Sequence, residues 1–210
     1  MRIFGIDPGS GRTGYGCVET DGRRYRLVTC GAITLTAGDN FPQRLARIHR
    51  ELSQLLSTCR PECVAVENLF HGVNARSALK LGHARGVAML AAVQAGCDIF
   101  EYTPAEVKRA VVGYGRADKR QMQHMIKVLL GLDKAPSPHD AADALAVAIC
   151  HLHSSPRGNL ARALSTSLKQ GKTRPYGALT DANVVAGPQS RLRPSQTRLP
   201  KSWRQYRPPQ

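Results

Sequence analysis

The stretch RIFGIDPGSGRTGYGCVET, residues 2–20, decides how the rest of the chain is read. Ile3 to Asp7 is a short apolar run that ends in a carboxylate and meets Pro8-Gly9-Ser10-Gly11, residues that stop a strand and turn the chain. Gly14 to Glu19 is a second run, and Tyr25 to Leu35, beyond the Asp21-Gly22 turn signal, is a third. Three strands joined as a hairpin meander are therefore expected. Leu45, Ile48, Leu52, Leu55 and Leu56 then keep helical spacing between Pro42 and Pro61, which predicts an amphipathic helix. Cys63 to Glu67 reads as a buried fourth strand, Ser77 to Ala95 as a helix rich in Ala, Leu and Met, and Asp98 to Tyr102 as a fifth strand. Pro104 suits the first turn of a helix reaching Val112, Asp118 caps another running to Leu130, and Pro138 precedes a last helix from His139 to His151. The order βββαβαβααα predicts an α/β domain, an open five-stranded mixed sheet flanked by helices.

That reading occupies only the first part of the 210 residues, and the charge divides at the same place. The chain carries 30 Lys and Arg against 15 Asp and Glu, a net charge of +15 that points to a polyanionic partner. Up to Ser154 the balance is 19 basic to 14 acidic residues, whereas the remainder has 11 basic residues and the single acid Asp181. Seven of the 13 prolines fall in that remainder, among Ser, Gln and Arg without apolar periodicity. A folded domain at 1–154 and a disordered, basic, Pro-rich tail at 155–210 are expected. The 42% hydrophobic content excludes a wholly disordered basic protein, and the 5% aromatic content argues against stacking along extended single strands. The start MRIFGIDPGS has no long apolar region, and Gly86 to Cys97 is short and carries Gln94, so neither a signal peptide nor a membrane span is expected. Six scattered cysteines without a CxxC pair read as reduced, mostly buried thiols of a cytoplasmic protein rather than a zinc site.

Four acidic residues stand out of pattern. Asp7 ends the first strand, where an ordinary turn aspartate would also do. Glu67 ends an otherwise apolar strand, where a charge needs a reason. Asp140 and Asp143 in HDAADALA are three apart, which puts both on one helical face, and a place in the first turn would let the helix dipole favour their charged forms. Alone, that pair is the common acidic start of a helix. If all four converge, two carboxylates about 4 Å apart repel by about 4 kcal/mol at an effective dielectric near 20, so a cation between them is required. Oxygen-only ligands select Mg2+ or Mn2+ over zinc. On a basic protein two such ions fit phosphodiester hydrolysis, one activating water and the other stabilising the leaving oxygen.

The segments GIDPGSGRTGYG, AVENLFHGVNARSALKLGHARGVA, VKRAVVGYGRADKRQMQHM and PHDAADALAVAICH, in this order and spacing, closely resemble the RuvC family of bacterial Holliday-junction resolvases, from about Arg2 to His153. The resemblance implies an RNase H-like fold and a metal-binding catalytic tetrad of Asp7, Glu67, Asp140 and Asp143 with two Mg2+ ions per subunit, Mn2+ substituting. It implies a homodimer that nicks two opposed strands of a four-way junction in recombination and repair, leaving 5′-phosphate and 3′-hydroxyl ends. It also implies the RuvA and RuvB branch-migration proteins as partners and a cytoplasmic, nucleoid-associated location. Phe70 matches the family phenylalanine that stacks on a base near the crossover, and Lys108 and Lys119 match lysines at the scissile region. Lys80 is counted with the DNA contacts. Val73 stands where many relatives have lysine, and Arg76 is placed to replace that charge. His139, beside Asp140, is an accessory candidate for holding metal or positioning water. The tail lies outside the family pattern.

Two other classes compete. Asp7-Pro8-Gly9-Ser10 with Thr13-Gly14 also looks like the first phosphate loop of actin-like ATPases, but those need two such domains and this chain has one copy. A non-catalytic DNA-binding protein would use the basic charge alone and leave the four acids unexplained, since acids repel phosphate unless metal intervenes.

Overall fold

A computed structural model of the chain describes residues 1–34, 38–68 and 74–155. The chain enters through β1 (Arg2–Asp7), β2 (Arg12–Thr20) and β3 (Tyr25–Thr34), the expected meander, with β1 antiparallel to β2 and β2 antiparallel to β3. Helix α1 (Phe41–Cys59) carries it to β4 (Cys63–Glu67), and α2 (Ala75–Gln94) to β5 (Asp98–Tyr102). Both strands lie parallel to β1, so the sheet order is β3-β2-β1-β4-β5. Helices α3 (Pro104–Val112), α4 (Lys119–Leu129) and α5 (His139–Ser154) complete the domain. The five-stranded mixed sheet flanked by helices is present as read from the sequence.

Element ends differ from the sequence reading where tertiary pairing extends them. Strand β2 begins at Arg12 rather than Gly14 because the ladder with β3 runs on to Arg12 opposite Thr34. Helix α5 continues past His151 to Ser154, and the Ser155 N–H closes its last turn on the His151 carbonyl. Leu35 and the tail from residue 156 lie outside the described residues. Local chemistry sets the starts of three helices: Asn40 with Gln43, Thr103 with Glu106, and Asp118 with Gln121 each form a reciprocal capping box.

Strand alternation sorts the side chains into two cores. Phe4, Ile6, Val64 and Val66 point toward α1 and α2, where Ile48, Leu52, Leu56, Ala84 and Ala88 meet them. Ile3, Val18, Cys63 and Ala65 point the other way, toward α3, α4 and α5. Helix α5 is buried almost throughout from Ala141 to Leu152, and its alanines let its backbone lie directly on the sheet. A Cβ at Gly5 would stand 2.0 Å from the Ala144 carbonyl oxygen, and one at Gly16 would meet the Leu145 side chain at 2.7 Å. Near its far end, buried His151 lies 3.3 Å from Cys63 Sγ and 2.8 Å from the Tyr102 hydroxyl, tying α5 to β4 and β5. Burial lowers the His151 pKa, so the ring is neutral at pH 7. The six cysteines are free thiols, with Cys17, Cys59, Cys63 and Cys150 buried. Among the described residues no helix is long and apolar enough to cross a membrane.

Candidate active site

The sheet and α5 converge at one end. Strands β1 and β4 run parallel with Ile6 beside Val66, so their last residues, Asp7 and Glu67, stand side by side. Alternation puts both on the α5 face, in step with Ile3 and Gly5 on β1 and with Cys63 and Ala65 on β4. Opposite Asp7 on β2 is Gly14, where a Cβ would lie 2.1 Å from the Asp140 carbonyl oxygen. A side chain is excluded there, and the start of α5 therefore reaches the strand ends.

Electrostatics shows how closely the four acids stand. Burial pushes the Asp7 carboxyl up to about 8, reinforced by the negative charges of Glu67, Asp143 and Asp140 and by a hydrogen bond with Glu67. Glu67 is also raised, first by burial and then by Asp143, while its bond to Asp7, Lys108 and Lys119 act to lower it. Asp7 and Glu67 thus resist being charged together. Asp143 is raised by burial, with Lys119, His139 and Lys108 opposing and Asp140 adding to the rise. Glu67, Asp140 and Asp143, the other acids read from the sequence, all act on Asp7, and the two lysines act on both Glu67 and Asp143.

The first-turn position expected of the α5 pair is found for one of them. Asp140 is in the first turn, but the helix starts at His139, so Asp143 lies a turn further in, half-buried between α5 and the sheet. There desolvation outweighs the dipole, which acts only within the first turn.

The remaining candidates separate. Phe70 and Val73 lie outside the described residues. Arg76 is exposed in the first turn of α2, and Lys80 sits over the Phe41 ring at 5.9 Å. His139 is exposed, and its Nδ1 contacts the Gln123 side chain on α4. One participant was not foreseen: Arg12, at the start of β2, places Nη1 3.3 Å from Asp140 Oδ2. A signal for it existed in the alternation of Arg12, Gly14 and Gly16, since strand glycines mark the face on which another backbone approaches and Arg12 shares that face.

The donor set is suited to a hard divalent ion, being oxygen only, and the raised Asp7 carboxyl marks a local excess of negative charge that such an ion would neutralise. As the side chains stand, no three His, Cys, Asp or Glu among the described residues are disposed to enclose an ion. Closing the cage requires the carboxylates to turn toward a common point.

Compared with known proteins, the chain matches the family model for crossover junction endodeoxyribonuclease RuvC over residues 3–151. It is 53% identical over 156 residues to the crossover junction endodeoxyribonuclease RuvC of Koribacter versatilis, covering 74% of this chain and 94% of that one. With the same enzyme of Alkaliphilus oremlandii it shares 52% identity over 153 residues, 73% of this chain and 93% of the other. Among solved structures it resembles Thermus thermophilus RuvC in complex with Holliday junction substrate, with a TM-score of 0.69 at 38% identity, over 72% of this chain and 92% of that one.

Proposed function

The chain belongs to the RuvC family of crossover junction endodeoxyribonucleases, and from that premise we propose that it resolves four-way DNA junctions by hydrolysing one phosphodiester in each of two opposed strands. The observation that carries the proposal is the convergence of Asp7 and Glu67, at the ends of adjacent parallel strands, with Asp140 and Asp143 at the start of α5, which lies directly against Gly14 opposite Asp7. We assign the metal to these four residues, as two Mg2+ ions with Mn2+ able to substitute, and the products to 5′-phosphate ends. When bound, such ions supply an activated water and stabilisation of the leaving oxygen.

The chain's own side chains prepare that chemistry. Lys108 and Lys119 oppose the rise at Glu67 and Asp143, favouring the charged forms that ligate metal, and they give the mouth of the site a positive edge for phosphate. The rigid seat of α5 on glycine backbone keeps Asp140 and Asp143 aligned with the strand ends.

A second copy of the chain is part of the proposal, since paired nicks need two sites. It is supported by the outward face of α2, where Leu79, Leu90 and Val93 are 64%, 49% and 62% exposed, a row of large apolar side chains that a monomer rarely leaves in water. Gly82 and Gly86 lie along the same groove with open space above them, which allows another helix to approach closely. The RuvA and RuvB proteins as partners, and a cytoplasmic setting on the nucleoid, follow from the family resemblance.

The test is nicking of a mobile four-way junction and of a linear duplex of the same sequence in Mg2+, by the parent and by Asp7→Asn, Glu67→Gln, Asp140→Asn and Asp143→Asn. Cleavage confined to the junction and lost in all four variants, with junction binding within a few fold of the parent, is the expected result. A variant retaining more than a tenth of the parent rate would remove that residue from the site.

A further inference from the structure

Among the described residues, Arg12 is the cation that touches a carboxylate of this site directly. Its position follows from strand geometry: it sits two residues before Gly14 on the α5 face of β2, one step beyond the register pair of Asp7 with Gly14. The Gly14 backbone is pressed against Asp140, so a long side chain from Arg12 passes over the start of α5, and its Nη1 reaches Asp140 Oδ2 at 3.3 Å. Lys108 and Lys119 act on Glu67 and Asp143, whereas Arg12 takes Asp140. The pair bridges 128 residues of sequence between β2 and α5, and both members keep access to water, at 47% and 31% side-chain exposure.

A guanidinium and a divalent ion compete for the same carboxylate oxygen. Arg12 leaves Asp140 by turning its side chain away. The geometry points to Arg12 as a built-in counter-ion that holds Asp140 in the metal-free site and must be displaced when metal is loaded, so that this residue sets the metal concentration the site requires. Arg12 is thus a positioning residue acting through Asp140. The inference rests on the metal-site reading of the four carboxylates.

The test is Mn2+ binding to the DNA-free protein, by calorimetry and by the paramagnetic resonance signal of free Mn2+, on the parent, Arg12→Gln, Asp140→Asn and the double variant. Arg12→Met, which keeps the aliphatic stem along the strand, is measured beside Arg12→Gln so that a fold defect in one does not decide the outcome, and melting in EDTA is followed for each. Losing a solvent-accessible ion pair as competitor should tighten Mn2+ binding by about two- to five-fold. In the Asp140→Asn background the same change should have no effect. Equal or weaker Mn2+ binding by both Arg12 variants would overturn the inference. A gain that persists without Asp140 would overturn it too, by showing a general field effect. Failure of the parent to bind Mn2+ at all would instead refute the metal-site reading beneath it.

Discussion

Replacing Asp7 by Asn in the metal-free protein is expected to stabilise the fold while removing its activity. Asp7 titrates near 8 in the folded chain against an ordinary value of 3.8, because it is buried beside three other acids. Its folded pKa is raised, so its favourable contribution is complete below about pH 4 and is lost as pH climbs toward 8: the unfolded chain releases this proton early and the folded chain late. Each pH interval of one between those values is worth about 1.4 kcal/mol, which sets a ceiling of roughly 6 kcal/mol at pH 8 and above. Asp7 is only half-buried and so keeps some access to water, and we expect about a third of that, roughly 2 kcal/mol, or a rise of about 4 to 8 °C in Tm for a domain of this size. Asparagine fills the same volume without the charge. The assay is thermal unfolding of parent and Asp7→Asn in EDTA at pH 8 and again at pH 4, where the two proteins should converge. Saturating Mg2+ should then raise the Tm of the parent more than that of the variant, since only a folded site that binds the ion gains by mass action. A variant no more stable than the parent at pH 8, or a gain of equal size at pH 4, would refute the reasoning that crowded carboxylates hold a proton on Asp7.

Other expectations follow from the same geometry. Gly14→Ala should lower Tm by at least several degrees and cut junction cleavage, because the new methyl group meets the Asp140 carbonyl oxygen at 2.1 Å and pushes α5 off the strand ends; an unchanged Tm would contradict the close approach. Ca2+ should support junction binding in gel shifts without turnover, since it accepts longer bonds and looser geometry than Mg2+ or Mn2+; nicking in Ca2+ at the Mg2+ rate would argue against a site that requires tight geometry. Removing residues 156–210 should leave junction cleavage intact and flatten the salt dependence of duplex binding, as that segment holds 11 of the 30 basic residues and each phosphate neutralised contributes about −0.9 to the slope. An unchanged slope would reject an electrostatic role for the segment.

Much of this site was legible in the chain. Alternation in GID and AVE put Asp7 and Glu67 at the ends of strands, and a three-residue spacing put Asp140 and Asp143 on one face of a helix, because both periods are local properties of the backbone. What escaped were facts of register. The burial of Asp143 depends on where α5 starts and on which residues of β1 and β2 it lies across, and neither is encoded in the spacing of the two aspartates. The alternation of Arg12, Gly14 and Gly16 hints at a shared face, but the ladder with Thr34 and the seat of α5 on Gly14 are what bring Arg12 to Asp140. Helical periodicity likewise marks Leu79, Leu90 and Val93 as apolar without saying that the domain leaves them exposed.

Whether four converging carboxylates make a metal-dependent resolving site is decided by mapping cleavage on a mobile four-way junction with each strand labelled in turn, in Mg2+ and in EDTA. Nicks are expected at symmetry-related positions in two opposed strands, in Mg2+ only, with products that ligate without further treatment. Cleavage that persists in EDTA, or that falls on strands without symmetric partners, would contradict such a site.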